Sequence, residues 1–231
     1  MKRLSVIVPM LNEAAGIVAT LERLQPLRAL GHEVIVVDGG SGDGSRSLAA
    51  PLADRIEIAP AGRGPQMNAG AAVADGDTLL FLHADTELPE RAELLIAQAL
   101  APGNRVWGRF DVRLSGAQRS LRMVERLMNL RSCLTGIATG DQAMFMSRLA
   151  FEQAGRFPDI PLMEDIALSR SLKQLSPPVC VRARVLTSSR RWERQGILRT
   201  ILLMWRLRLG YFLGVDPAVL AMRYRQAAHS R

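Results

Sequence analysis

Short apolar runs that end at polar residues, separated by stretches with helical spacing, constrain this chain more than any other feature. Leu4-Ser5-Val6-Ile7-Val8 is β-branched and closed by Pro9, and Glu33 to Val37 and Thr78 to Leu82 are runs of the same kind. Each predicts a buried strand, and Arg55 to Ile58 predicts a shorter one. Between them, residues 13–29 place Ile17, Leu21, Leu24 and Leu27 at turn spacing, 66–74 are Ala-rich with the same period, and 90–100 predict another helix. Strands alternating with helices at this interval predict βαβ units: an α/β chain with a mostly parallel sheet flanked by helices. The unbroken apolar character of the strands fits burial on both faces. The second half is less regular, with strands predicted over 106–114 and 142–146 and a helix over 165–175.

Ligands of such sheets bind beyond the carboxyl ends of the strands. The polar residues at those ends are Asn12 and Glu13, Asp38, and His83 with Asp85. Three strand ends thus bring acidic or amide groups to one rim.

The 231 residues, 48% of them hydrophobic, are enough for one sizeable core. Charge is unevenly distributed. Residues 182–231 hold eleven arginines against Glu193 and Asp216, while the preceding residues balance 19 basic side chains with 20 acidic ones. We therefore read 1–186 as one α/β domain and 187–231 as a helical, basic C-terminal extension. Cys133 and Cys180 form no C-x-x-C pair and imply neither a zinc site nor a disulfide framework, so a reducing cytoplasm is the default. The start, Met1-Lys2-Arg3 followed by apolar residues, imitates a signal peptide. It is interrupted by Pro9 and ends at Asn12-Glu13, which favours a first strand. No run approaches the roughly 18 apolar residues that span a bilayer.

Three segments carry chemistry. In Leu82-His83-Ala84-Asp85 a strand delivers a carboxylate and an imidazole to the solvent edge. A hard Mg²⁺ or Mn²⁺ takes few protein carboxylates and fills its shell with water and phosphates, so Asp85 is a candidate ligand; a strand-end Asp capping a turn is the alternative. Val37-Asp38-Gly39-Gly40-Ser41 offers a glycine turn and an acid able to accept hydrogen bonds from a base or ribose. Its G-x-G-x-G run follows the second strand and is not the dinucleotide fingerprint. Glu164-Asp165 opens a helix, where acids suit the dipole and where a base could face a substrate. Neighbours on a helix differ by about 100°, so only one is expected to face the site squarely.

Together these segments resemble family 2 glycosyltransferases. The resemblance runs from Leu4 to about Leu172, with the motifs in the family's order: Val6-Ile7-Val8-Pro9-Met10-Leu11-Asn12-Glu13, Val37-Asp38-Gly39-Gly40-Ser41, Arg63-Gly64-Pro65-Gln66-Met67-Asn68-Ala69-Gly70, His83-Ala84-Asp85, Thr139-Gly140-Asp141-Gln142 and Glu164-Asp165. The chain looks most like the short bacterial subgroup found beside radical-SAM and selenium-related genes. The resemblance implies a GT-A fold and an inverting, metal-dependent transfer of sugar from a nucleotide-diphosphate sugar, UDP favoured, to an acceptor hydroxyl. It implies that Pro9, Asn12 and Glu13 line the nucleoside pocket, that Asp38 and Gly39 meet base or ribose, and that Arg63 lies by the diphosphate with Asn68 and Gly70 shaping its wall. His83, Ala84 and Asp85 would follow, with Asp85 on Mn²⁺ or Mg²⁺. Gly140 and Asp141 would approach donor sugar or acceptor, and Asp165, beside Glu164, would be the general base.

Two departures stand out. The family's D-x-D begins here with His83, either a metal ligand or only a nucleotide contact. Ser188-Ser189-Arg190-Arg191-Trp192 resembles the Q-x-x-R-W of processive synthases with Ser188 for the glutamine, so Arg191 and Trp192 are candidate sugar contacts and a single transfer is expected. Residues 195–225 mix apolar residues with arginines. They fit an interfacial helix near a lipid-linked acceptor, at the inner face of the membrane, or a helix packed on the catalytic domain or a second subunit in a homo-oligomer. A small-molecule acceptor stays equally open. The apolar content argues against nucleic acid. Competing readings are a sugar-phosphate nucleotidyltransferase, whose Gly-rich basic loop after the first strand is absent, and a non-catalytic nucleotide-sugar-binding module.

Overall fold

A computed structural model describes residues 3–229 apart from Pro102 and Asn104. Met1 and Lys2 of the signal-like start, and Arg231 of the basic tail, lie outside the described residues. The first half alternates as the apolar runs predict: β1 (Leu4–Met10), α1 (Ile17–Ala29), β2 (Glu33–Asp38), α2 (Ser45–Ala49), β3 (Arg55–Ile58), α3 (Arg63–Val73) and β4 (Thr78–Phe81). Then come β5 (Thr86–Glu87), α4 (Ala92–Ala99), β6 (Trp107–Leu114), α5 (Arg119–Thr135), β7 (Phe145–Ser147), α6 (Arg148–Gln153), α7 (Glu164–Leu175) and β8 (Val179–Thr187). Three helices follow: α8 (Arg190–Gln195), α9 (Ile197–Phe212) and α10 (Pro217–His229).

One eight-stranded sheet runs in the order β3-β2-β1-β4-β7-β6-β8-β5. It is parallel through β3, β2, β1 and β4, as the βαβ pattern requires, and mixed beyond, where β7 runs antiparallel to both β4 and β6. Alternation along β1 explains the two layers. Val6 and Val8 join Leu21, Leu24 and Ile96 on one face, while Ile7 joins Met67, Ala71, Phe151 and Leu168 on the other. Gly70 lets α3 lie directly on the sheet: a Cβ there would stand 2.5 Å from Ile7 Cγ2 and 2.9 Å from Val37 Cγ2.

β6 has a partner on one side for only part of its length. β7 pairs with Trp107 and Gly108, and the strand then bulges between Phe110 and Asp111. Beyond that point α5 serves the bare edge with side chains. Asn129 accepts from the Val112 N–H (2.8 Å) and donates to its carbonyl (3.0 Å), Glu125 accepts from the Leu114 N–H (2.6 Å), and Arg122 donates to the Leu114 carbonyl (2.6 Å). A buried strand edge without such partners would leave amide groups dehydrated and unpaired.

Cys133 and Cys180 are joined in a disulfide with Cα atoms 5.9 Å apart, tying the end of α5 to β8. This corrects the expectation of no disulfide framework. The pairing depends on α5 lying across the β6–β8 ladder, an adjacency that spacing along the chain does not carry. The default to a reducing compartment loses the support it drew from unpaired thiols.

Among the described residues no helix is long and apolar enough to cross a membrane.

Candidate active site

The parallel strands place their carboxyl ends on one rim, and two loops there are knit into a single wall. Asn12 takes a left-handed backbone (φ 54°), which its short amide side chain tolerates, and its Oδ1 accepts from the Gly42 N–H at 3.0 Å. Its own N–H donates to Ser41 Oγ (2.9 Å), and the Glu13 N–H donates to Ser45 Oγ (2.8 Å). The Asp43 carboxylate accepts from the Ala14 and Ser45 N–H groups. Asp38, buried at the end of β2, accepts from both the N–H and the hydroxyl of Ser41 (3.0 and 2.5 Å). The glycine loop is therefore held by acids and serines, with Asp38 as its anchor. Gln66, not singled out from sequence, staples the strand ends: its Nε2 donates to the carbonyls of Met10 (2.8 Å) and Val37 (2.7 Å). Its position inside the Arg63–Gly70 motif was the available signal.

A cleft opens beside this wall in two adjoining halves. Pro9, Leu11, Glu13, Gln66 and Ala84 line one, of ≈ 260 Å³. Gly140, Asp141, Glu164, Asp165, Arg191 and Trp192 line the other, of ≈ 220 Å³. Arg63, His83 and Asp85 belong to both and mark the junction. Only together do the halves reach the size of common ligand pockets, about 300–1,000 Å³.

Electrostatics follow from this crowding. Burial first, and then the Asp85 charge, raises the Glu13 pKa. Burial also raises Asp165, though its Oδ2 accepts from the Gly140 N–H (2.9 Å) and its Oδ1 from the Ile166 N–H (2.7 Å), bonds that favour its charged form. Glu164 is pushed up to about 7, by burial and then by the charge of Asp165. Both acids border the cleft, Glu164 buried and Asp165 partly exposed.

His83 is kept neutral by burial and by the nearby Arg63 charge, its pKa held well below the usual value. Its Nε2 is buried without a hydrogen-bond partner among the described residues, and a Cβ on Gly140 would stand 2.4 Å from it. That nitrogen therefore faces Gly140, and Asp85, which is exposed, is the group offered to a cation. No cluster of three or more His, Cys, Asp or Glu side chains able to hold a metal occurs among the described residues. One carboxylate plus ligand phosphates is a donor set that a hard divalent cation accepts.

Two expected wall residues are occupied elsewhere. Asn68 exchanges hydrogen bonds with the Phe157 backbone (Oδ1 from N–H 3.1 Å, Nδ2 to carbonyl 2.8 Å), and Gly70 packs against the sheet. Neither these two nor Asp38, Gly39 and Asn12 line the cleft halves described; they build the frame behind. The last helices, by contrast, contribute residues that sequence reasoning missed. Thr200, Met204, Leu207 and Arg208 of α9 and Tyr224 of α10 roof the second half. The Arg191 guanidinium lies 3.9 Å from the centre of the Tyr224 ring, a cation–π contact between α8 and α10.

Comparison with known proteins agrees with this architecture. The family model for glycosyl transferase family 2 matches residues 5–152. The succinoglycan biosynthesis protein ExoA of Rhizobium meliloti (strain 1021) is 35% identical over 113 residues, 42% of this chain and 33% of that protein, so the chain spans about a third of that relative's length. A mannosyltransferase from Pyrobaculum calidifontis, solved with GDP-Man and Mn²⁺, superposes with a TM-score of 0.64 at 22% identity, over 96% of this chain and 64% of that one. Glucosyl-3-phosphoglycerate synthase from Mycobacterium tuberculosis, solved with Mn²⁺, UDP and glucosyl-3-phosphoglycerate, gives 0.57 at 20% identity over 80% and 71%. The curled mixed sheet flanked by helices is thus of the GT-A kind, and the protein belongs to glycosyl transferase family 2.

Proposed function

We propose that this chain transfers one sugar, with inversion, from a nucleotide-diphosphate sugar to an acceptor hydroxyl. The observation that carries the reading is the single cleft in which Arg63 and Asp85 stand at the junction and Glu164 and Asp165 face them from the tip of α7. The half walled by Pro9, Glu13 and Ala84 would take the nucleoside, UDP being the favoured form. Arg63 would hold the diphosphate, and Asp85 the Mn²⁺ or Mg²⁺. When bound, that cation neutralises the departing nucleoside diphosphate as a Lewis acid. Support for it comes from the exposed Asp85 and from the cations in the two solved relatives.

Asp165 would accept the acceptor proton. Two backbone N–H groups fix its carboxylate, which holds the lone pair in place. Glu164, protonated for part of the time near neutral pH, can donate a hydrogen bond to a sugar hydroxyl. Asp141, Arg191 and Trp192 would bound the sugars in the second half. Ser188 in place of the synthases' glutamine supports a single transfer to each acceptor, without polymerisation.

The test is donor turnover over a panel of nucleotide sugars with and without Mn²⁺ or Mg²⁺. Release of nucleoside diphosphate is expected only with the cation. Asp165→Asn should lower turnover by about 10²–10⁴-fold, and Asp85→Ala by on the order of 10²-fold or more. Pyrophosphate as the product would instead indicate a nucleotidyltransferase. Full activity of Asp165→Asn would remove that residue from the role.

A further inference from the structure

Two helices show the solvent an apolar face. On α9, Leu198, Leu202, Trp205, Leu209 and Phe212 recur at helical spacing, and each is more than half exposed, Leu198 reaching 77%. On α5, Met123, Leu127, Leu130 and Leu134 do the same, Leu134 also reaching 77%. Large side chains scattered singly over a surface are ordinary; two aligned stripes are not.

The stripes adjoin. Val124 and Met128 of α5 pack with Ile197 and Ile201 of α9. At about 100° per residue, the exposed positions of both helices lie on their outward sides, flanking that seam. On the two helices themselves the exposed charge has one sign. Arg119 and Arg126 on α5 and Arg199 and Arg206 on α9 are exposed, and across 119–135 and 197–212 the only acid is Glu125, which is buried. Arg208, the third arginine of α9, lines the cleft instead.

We propose that the outer faces of α5 and α9 form one docking surface for an anionic lipid bilayer. The leucines and Trp205 enter the headgroup boundary, and the rim arginines meet lipid phosphates. No spanning helix is needed, which agrees with the absence of one among the described residues. The inner side of α9 roofs the cleft, so docking would set the cleft beside the membrane, within reach of a lipid-borne acceptor. That last consequence rests on the sugar-transfer reading; the docking does not.

The experiment is sedimentation of the full chain with phosphatidylcholine vesicles, with or without about 30 mol% phosphatidylglycerol, across a salt series. Binding is expected to anionic vesicles only and to weaken with salt. Leu130→Gln/Leu134→Gln and Trp205→Gln/Leu209→Gln should each reduce it by about tenfold or more while thermal stability is kept, because these side chains contribute little to the core. Tryptophan emission of the wild-type chain should shift to the blue on anionic vesicles, and the shift should be lost in Trp205→Gln/Leu209→Gln, which leaves Trp107 and Trp192 in place. Failure to bind anionic vesicles overturns the proposal, as does binding that both variant pairs leave intact. A dimer that the same variants dissociate, with no vesicle binding, would assign the surface to a second copy.

Discussion

Glu164 couples the chemistry of the cleft to the stability of the fold. Its pKa rises from the ordinary 4.5 to about 7 through burial and the neighbouring Asp165 charge. Between those values the folded chain holds a proton that the unfolded chain has released, so this group's contribution to stability falls as pH rises through that window and is fully lost above about 7. Glu164→Gln removes the penalty. At pH 8 the variant should be more stable than wild type by on the order of 2 kcal/mol, and the difference should vanish near pH 4.5. Thermal melts of the ligand-free chain at both pH values check the sign; equal midpoints at pH 8 would contradict it. The individual acids of the cleft were legible in the sequence because Asp85 follows a strand and Glu164-Asp165 opens a helix, places where a short-range signal suffices. What Asp38 does was not legible. Its carboxylate accepts from Ser41, three residues on, and keeps acceptor sites for a base or ribose, two roles that look alike in a string of letters.

Elements were legible where each carries its own pattern. β1, β2 and β4 are self-contained apolar runs, and β3 alternates charged with apolar residues over Arg55–Ile58. α5 escaped because its pattern is inverted. Its inward positions include Glu125 and Asn129, which serve the bare edge of β6, and the buried Ser132, while its outward positions are Met123, Leu127, Leu130 and Leu134. β8 escaped because exposed Arg182 and Arg184 interrupt it. The inverted helix makes a specific claim. Asn129→Leu would leave the buried donor and acceptor of Val112 unpaired, and should cost about 2–3 kcal/mol. A urea midpoint that drops with an unchanged slope is the expected result. An unfolding free energy within about 0.5 kcal/mol of wild type would mean that the β6 edge finds partners without α5.

At the scale of the molecule, the parallel half of the sheet supplies the first part of the cleft, and the later elements close the second. The Cys133–Cys180 bridge, 47 residues apart, clips α5 to β8 in that later half. Closing a loop of this length stabilises by at most about 3–4 kcal/mol in the chain-entropy view. Wild type should therefore lose stability in reductant, and Cys133→Ala/Cys180→Ala should be insensitive to it; two alkylatable thiols in the non-reduced, denatured chain would refute the bridge.

The stacking of Arg191 on Tyr224 has a temporal side. As a ribosome extends the chain, Asp38 at the end of β2 and Asp85 just past β4 emerge early, and Arg191 follows much later. It must then wait for another 33 residues before the ring that steadies it is made. A nascent chain can thus shape its nucleoside wall long before it can finish the second chamber, so catalytic competence would arrive late in translation.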